Sequence, residues 1–294
     1  MPVTQYLERN ADMYGDEVAL VELNPEQQEV GQITWKEFEL IQPTKTQAYR
    51  RQITWKVFDE KANRLANMLL SRGIKKGNKI GILMMNCLEW LPIYFGILKT
   101  GAIAVPLNFR YTSDEILYCS NLAELDILFF GPEFVSRIEN IEPALHKNRA
   151  LIFVGEQCPS FAEDYRLITG DYSSTRPNIA ITDDDFGAIY FSSGTTGFPK
   201  AILHRHRSLM HAAAVEQKHH STSRDTASFV SRRFITPAPR CTGWVLSWPV
   251  PAQFFSAAPS RSISWMPSPP STVPSYGFWF RGPRTFWMLS TVAM

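Results

Sequence analysis

The sequence predicts an α/β fold, with mostly parallel sheets flanked by helices. Three observations lead there. Short apolar runs alternate with stretches of helical periodicity through the first two-thirds of the chain. Several of the helical stretches carry their own start and stop residues. A glycine-rich loop follows directly on one apolar run, as in open α/β sheets, where ligands sit outside the strand carboxyl ends.

Val3, Tyr6, Leu7 and Met13 give residues 2–14 a weak amphipathic helical pattern, and Val18-Ala19-Leu20-Val21 reads as a strand. A local repeat follows. Gln32-Ile33-Thr34-Trp35-Lys36-Glu37-Phe38 recurs twenty positions later as Gln52-Ile53-Thr54-Trp55-Lys56-Val57-Phe58. Two copies do not make a solenoid, so an extra hairpin or surface insertion is expected. Phe58, Ala62, Leu65, Ala66, Leu69 and Leu70 then mark a helix, with Thr54 as its cap and Gly73 at its end. Lys75-Lys76-Gly77-Asn78 reads as a solvated basic turn. Lys79 to Met85 is a buried strand. Glu89 to Thr100 is a helix that tolerates Pro92 in its first turn, and Gly101 follows it.

Ile103 to Leu107 is the next strand. Thr112-Ser113-Asp114-Glu115 is a capping box opening another helix. Strands are expected at Ile127–Phe130 and Ala150–Val154, with a helix around 132–144 between them. Thr182-Asp183-Asp184-Asp185 reads as a solvated turn in preference to a metal cluster. Ala188-Ile189-Tyr190-Phe191 is a buried strand. This alternation implies βαβ units and a parallel sheet covered on both faces.

At 294 residues the chain holds one large domain or two ordinary ones. Its four cysteines (Cys87, Cys119, Cys158, Cys241) are scattered, with no Cys-x-x-Cys pair. That argues against a zinc site or disulfide framework and fits a reducing cytoplasm. The opening residues lack a basic segment leading into an apolar core, so no signal peptide is expected. No run approaches the ~18 apolar residues of a membrane span.

The loop itself is Ser192-Ser193-Gly194-Thr195-Thr196-Gly197-Phe198-Pro199-Lys200. Gly194 and Gly197 permit positive φ and close backbone approach to a ligand. Converging backbone N–H groups suit an anion. Ser192, Ser193, Thr195 and Thr196 add hydroxyl donors, and Lys200 adds a positive charge. The string is not a Walker loop, which needs four residues between its first glycine and Gly-Lys-[Ser/Thr].

The whole string, with Pro199 and Lys200, closely resembles the phosphate loop of the AMP-forming adenylating enzymes, which include acyl-CoA synthetases. Leu98-Lys99-Thr100-Gly101-Ala102-Ile103-Ala104-Val105-Pro106-Leu107-Asn108 is similar to a second signature of that family, and Asn108 to Tyr118 to the segment after it. Lys200 to Leu209 is similar to the family's next segment, which places His206 at a family histidine position. Arg205 departs from the threonine usual there. The likeness covers about residues 5–220.

The resemblance implies a two-step reaction. A carboxylic acid attacks the α-phosphate of Mg2+-bound ATP, giving an acyl-adenylate and pyrophosphate, and the thiol of coenzyme A then displaces AMP. Ser193, Thr195, Thr196 and Lys200 are implied to contact the β- and γ-phosphates. Ser192, Gly194, Gly197 and Pro199 complete the nucleotide-binding set, with His206 as a further candidate. The resemblance places the catalytic lysine, the adenosine-contacting motifs and a small C-terminal domain downstream of the matched segment. No catalytic residue and no metal ligand is therefore assigned in this chain. Residues 1–220 are expected to form the N-terminal part of the large domain.

Residues 221–294 read differently. They hold seven arginines and one acid, against 23 basic and 27 acidic residues before them. Ten of the twenty prolines and five of the eight tryptophans fall there, without helical or strand periodicity. A shifted reading frame accounts for this composition. Read one base out of register, Tyr276 to Leu289 permits Trp-Leu-Leu-Val-Pro-Trp-Ala-Gln-Asp-Ile-Leu-Asp-Ala, in which two of the three leucines, the valine and the second aspartate, each read across a tryptophan codon, are forced by the genetic code. The tail is expected to be non-native and unstructured, and the chain alone to be inactive. Two other functions compete: a non-catalytic nucleotide-binding fragment, and a nucleic-acid binder using the tail arginines. The second is disfavoured because those arginines do not cluster on any element.

Overall fold

The computed structural model describes residues 1–23, 50–145, 150–192, 199–220, 228–230 and 286–289. Helix α1 (Val3–Tyr14) leads into strand β1 (Val18–Leu23), which pairs antiparallel with β2 (Arg50–Thr54). Leu23 lies opposite Arg50, so the intervening segment, with the first copy of the repeat, leaves and rejoins the sheet at neighbouring points. That first copy falls outside the described residues. The second copy ends β2 and opens α2 (Trp55–Ser71), where the Thr54 hydroxyl accepts from the Val57 N–H at 3.3 Å.

β3 (Lys79–Leu83), α3 (Trp90–Lys99), β4 (Ile103–Pro106), α4 (Ser113–Ala123), β5 (Ile127–Phe130), α5 (Val135–Glu139), β6 (Ala150–Phe153), β7 (Glu163–Asp164), α6 (Tyr165–Gly170), β8 (Phe186–Ser192), β9 (Lys200–Arg205) and α7 (His206–His220) follow. Seven strands form one sheet in the order β7-β6-β5-β3-β4-β8-β9. Every neighbouring pair is parallel except β8 with β9. Alternate strand residues serve opposite faces. Ile80, Ile82, Ala104, Ile127, Phe129, Ile152 and Ala188 join the core under α1, α2 and α3. Val105, Leu128, Phe130, Leu151, Phe153, Ile189 and Phe191 join a second core under α4 and α5. Both faces are covered, which is why these strands read as unbroken apolar runs.

Local signals placed the elements well. The capping box is complete: the Thr112 hydroxyl accepts from the Glu115 N–H and the Glu115 carboxylate from the Thr112 N–H. Gly73 and Gly101, at φ +77° and +75°, end α2 and α3 in the left-handed region. Gly96 does a different job. A Cβ there would lie 2.8 Å from Leu65 Cδ2 and 2.9 Å from the Ala62 carbonyl oxygen, so its absence lets α3 seat on α2.

Two expectations need correction. The helix expected around 132–144 is broken into a 3₁₀ turn at Pro132–Phe134, the five-residue α5, and another 3₁₀ turn at Glu142–Ala144. Pro132 and Pro143 each withhold a backbone donor and set new starts. The basic turn is not simply solvated, because Lys76 Nζ meets Asp185 Oδ2 at 2.7 Å. The antiparallel return β9 was not predicted, nor were β2, β7 and α6.

In the tail, two short strands are described, β10 (Ser228–Val230) and β11 (Phe286–Leu289), where none was predicted. They extend the first sheet in the order β10-β11-β1-β2, all antiparallel. The expectation for the rest of the tail lies outside the described residues. Among the described residues no helix is long and apolar enough to cross a membrane.

Candidate functional site

The loop-bearing hairpin sits at the carboxyl edge of the parallel sheet. β8 runs with β4 and ends at Ser192, and β9 returns from Lys200. Ser192 and Lys200 are directly paired across the two strands. Paired residues in an antiparallel ladder stand about 5 Å apart, so the seven residues between them must leave and return at nearly one point. Ser193, Gly194, Thr195, Thr196 and Gly197 lie outside the described residues. Their two anchors do not: Ser192 is half-buried, Pro199 is buried, and Lys200 is exposed.

Ser192 and Lys200 therefore share one face at the open end of the hairpin. Among the described residues no carboxylate pairs with Lys200, so a cation stands at the open end of the hairpin. That donor set fits a polyphosphate. It offers Mg2+ no carboxylate of its own, and the described residues contain no group of three His, Cys, Asp or Glu side chains able to hold a metal ion.

The hairpin root carries side chains that the motif does not mention. The Tyr190 hydroxyl lies 3.1 Å from the hydroxyl of Tyr94 on α3. The His204 ring meets Tyr190 edge-on, with centroids 5.5 Å apart. Burial raises the pKa of both phenols, Tyr94 well above its usual value, and lowers that of His204. All three groups are therefore neutral near pH 7. A tyrosine at an alternate strand position, and another within the largely apolar α3, were the only signals of this contact.

His206 lies elsewhere. It is the first residue of α7, beside Phe186 at the far end of the hairpin, six strand residues or roughly 20 Å from Ser192. Its ring is fully buried over Gly187, where an added Cβ would come within 3.4 Å of Nε2. Neither ring nitrogen has a hydrogen-bond partner among the described residues. Burial lowers its pKa; Lys76 adds to that, while Asp185 and Asp183 oppose it. His206 thus stands at the end of the hairpin opposite Ser192 and Lys200.

The acidic turn wraps this same far end. Asp183 accepts from the chain's terminal ammonium at 2.5 Å, Asp184 pairs with Arg207 at 2.7 Å, and Asp185 with Lys76 at 2.7 Å. The His206 and Arg207 N–H groups donate to the carbonyls of Asp185 and Asp183. The three acids hold the start of α7; each has its own cation.

The profile of the family described as AMP-binding enzyme matches residues 7–249. The 3-hydroxybenzoate--CoA/4-hydroxybenzoate--CoA ligase of Thauera aromatica is 31% identical over 170 residues, covering 58% of this chain and 32% of the relative. A medium/long-chain-fatty-acid--CoA/3-oxocholest-4-en-26-oate--CoA ligase of Mycobacterium tuberculosis is 29% identical over 223 residues, 73% of this chain and 39% of the relative. The anthranilate CoA ligase AuaEII, solved in complex with anthranoyl-AMP, superimposes with a TM-score of 0.61 at 25% identity, over 73% of this chain and 36% of that one. The chain thus spans about a third of the length of the proteins it matches.

Proposed function

The chain belongs to the AMP-binding enzyme family, and on that premise we propose that it is the N-terminal part of an ATP-dependent, AMP-forming carboxylate–CoA ligase. The observation that carries this reading is the pairing of Ser192 with Lys200 at the carboxyl edge of the sheet, with the glycine-rich segment between them. ATP, bound with Mg2+, supplies pyrophosphate as the leaving group when a carboxylic acid is adenylated; coenzyme A is the later acceptor. The chain's own part is to hold the β- and γ-phosphates. Lys200 places its charge there, Ser192, Ser193, Thr195 and Thr196 direct hydroxyls, and Gly194, Gly197 and Pro199 shape the backbone. Donors fixed on a departing anion stabilise charge as it develops.

The acids named for the relatives include hydroxybenzoates and medium- to long-chain fatty acids, so the substrate class proposed is a carboxylic acid and no narrower. Residues 1–220 are proposed as the large-domain part, and 221–294 as a tail read in a shifted frame. Taken alone, the 294-residue chain binds nucleotide phosphates without completing ligation.

Titration of the purified chain with Mg-pyrophosphate and Mg-ATP tests the loop. Replacing Lys200 with alanine is expected to weaken both about 10- to 100-fold, the worth of one charge-assisted contact. Equal affinity in the wild type and Lys200→Ala refutes the phosphate role. ATP–pyrophosphate exchange by the 294-residue chain would refute its inactivity in isolation. Coding DNA tests the tail. An open family-like frame one base out of register, entered between about His220 and Phe234, is expected; stops in that frame refute it. The family match in the given frame runs on to residue 249, past that window, which counts against a frame change inside it.

A further inference from the structure

We infer that the Tyr94–Tyr190 hydroxyl pair is a positioning device that fixes the root of the loop-bearing hairpin for phosphate binding. The inference rests on the phosphate-loop reading above and assigns roles to two residues outside the loop. The registered pairing of β8 with its parallel neighbour β4 is Ala104 with Ala188 alone. Across Ile189–Ser192 every residue of β8 is registered with β9, its own hairpin partner. β9 is the last strand of the sheet among the described residues. With Ala104 opposite Ala188, β4 ends at Pro106 beside Tyr190, so the last residues of β8, Phe191 and Ser192, run on with β9 as their laddered neighbour.

Side chains must hold that pair. On one face Ile189 and Phe191 pack into the core under α4, but apolar packing is non-directional. On the other face Tyr190, two residues before Ser192, makes the directional contact, 3.1 Å to Tyr94. Tyr94 is a stiff anchor. It is 1% exposed, stacked on Trp90 at 5.5 Å and edge-on to Phe95 at 5.9 Å, within the buried helix α3. Tyr190 passes the restraint to the second strand through its edge contact with His204. One neutral hydrogen bond in an apolar layer thus ties both hairpin strands to α3. In such surroundings a polar bond is strong and costly to leave half-made, so it specifies one register.

The test separates position from stability. Tyr94→Phe, Tyr190→Phe and the double variant are compared with the wild type for urea midpoint and for Mg-pyrophosphate affinity by calorimetric titration. Each single variant strands one buried hydroxyl and lowers the midpoint. The double variant removes both and recovers most of the stability. Affinity is expected to stay about five- to tenfold down in all three, the worth of one neutral hydrogen bond. Recovery of affinity in step with stability overturns the inference and leaves the pair a core contact. Failure of the folded wild type to bind pyrophosphate overturns the loop reading, and this inference with it. Tyr94→Phe, which leaves the hairpin sequence untouched, decides the matter if the double variant does not fold: wild-type affinity in that single variant refutes the positioning role.

Discussion

Lys99 should be among the most sensitive charges in the chain, though it sits inside an apolar motif at the end of α3. Its side chain is 1% exposed. Nζ donates to Asp59 Oδ1 at 2.7 Å and to Glu8 Oε1 at 2.8 Å. Asp59 is itself 7% exposed, and its other oxygen accepts from Arg176 Nε at 3.0 Å and from Asn63 Nδ2 at 3.2 Å. Lys99→Met keeps the stem and deletes the ammonium, leaving Asp59 buried with half its compensation gone. Breaking a buried pair from one side costs about 3–5 kcal/mol. A 3 kcal/mol loss would lower the thermal midpoint by roughly 6–12 °C for a folded unit of this size. Urea unfolding followed by circular dichroism reads the change. Lys99→Met/Asp59→Leu removes both charges and should recover most of the loss, because an apolar pair of similar volume often replaces a buried ion pair at little cost. A loss below about 1 kcal/mol for the single variant, or no recovery in the double, would refute the claim that desolvated charge dominates here.

Two further outcomes follow from the packing. His206 has a folded-state pKa lowered by burial, so the unfolded chain takes the proton first as pH falls. Its contribution to stability is full above about pH 6.5 and declines below it, by at most about 1.4 kcal/mol per pH unit. Denaturation midpoints should fall less steeply between about pH 6.5 and 5 in His206→Leu, and an unchanged slope would sink the assignment. Gly96→Ala should destabilise by about 1–3 kcal/mol through overpacking between α3 and α2, seen as a lower urea midpoint with an unchanged slope.

Much of the layout was legible because the signals are local. Thr54, Thr112 with Glu115, Gly73 and Gly101 each act on the backbone within a few positions, and the structure uses all of them. The family loop was legible for the same reason. What escaped was contact at long range. Lys99 lies 91 residues from Glu8, and Arg176 lies 117 from Asp59. Within its motif nothing local marks Lys99 as buried, and only the assembled α1–α2–α3 layer makes it so. Tyr94 and His204 escaped because an aromatic residue in an apolar pattern signals core, whatever its hydroxyl or ring nitrogen meets. His206 was named from motif position alone, and the antiparallel hairpin sets it at the end opposite Ser192 and Lys200. The helix around 132–144 failed for the converse reason: its apolar spacing was real, but Pro132 and Pro143 interrupted the hydrogen-bond series.

The same contrast explains how the hairpin comes to its place. After β7 and α6, at one edge of the sheet, the chain must travel back to β8 near the other. It does so along α2. Asn63, Asn67 and Ser71, four residues apart, form one stripe of that helix. Asn63 Nδ2 donates to the Ser174 carbonyl at 3.0 Å, and Asn67 Nδ2 to those of Ser173 and Thr175 at 2.7 and 2.9 Å. The Ser71 hydroxyl meets the Tyr172 hydroxyl at 2.9 Å, and Arg64 reaches the carbonyls of Gly170 and Tyr172. Most of these contacts recognise backbone, so the travelling segment needs no particular side chains and shows no motif. Arg176 ends the run on Asp59 and Asp12, next to Lys99. The Asp183–Asp185 turn then seats the start of α7, and β8 begins. The hairpin that carries the proposed phosphate loop is reached along a polar stripe of α2 and past Arg176, whose partner Asp59 also pairs with the buried Lys99. A variant far from the hairpin, such as Lys99→Met, should therefore disturb the proposed phosphate binding only as far as it loosens this return path.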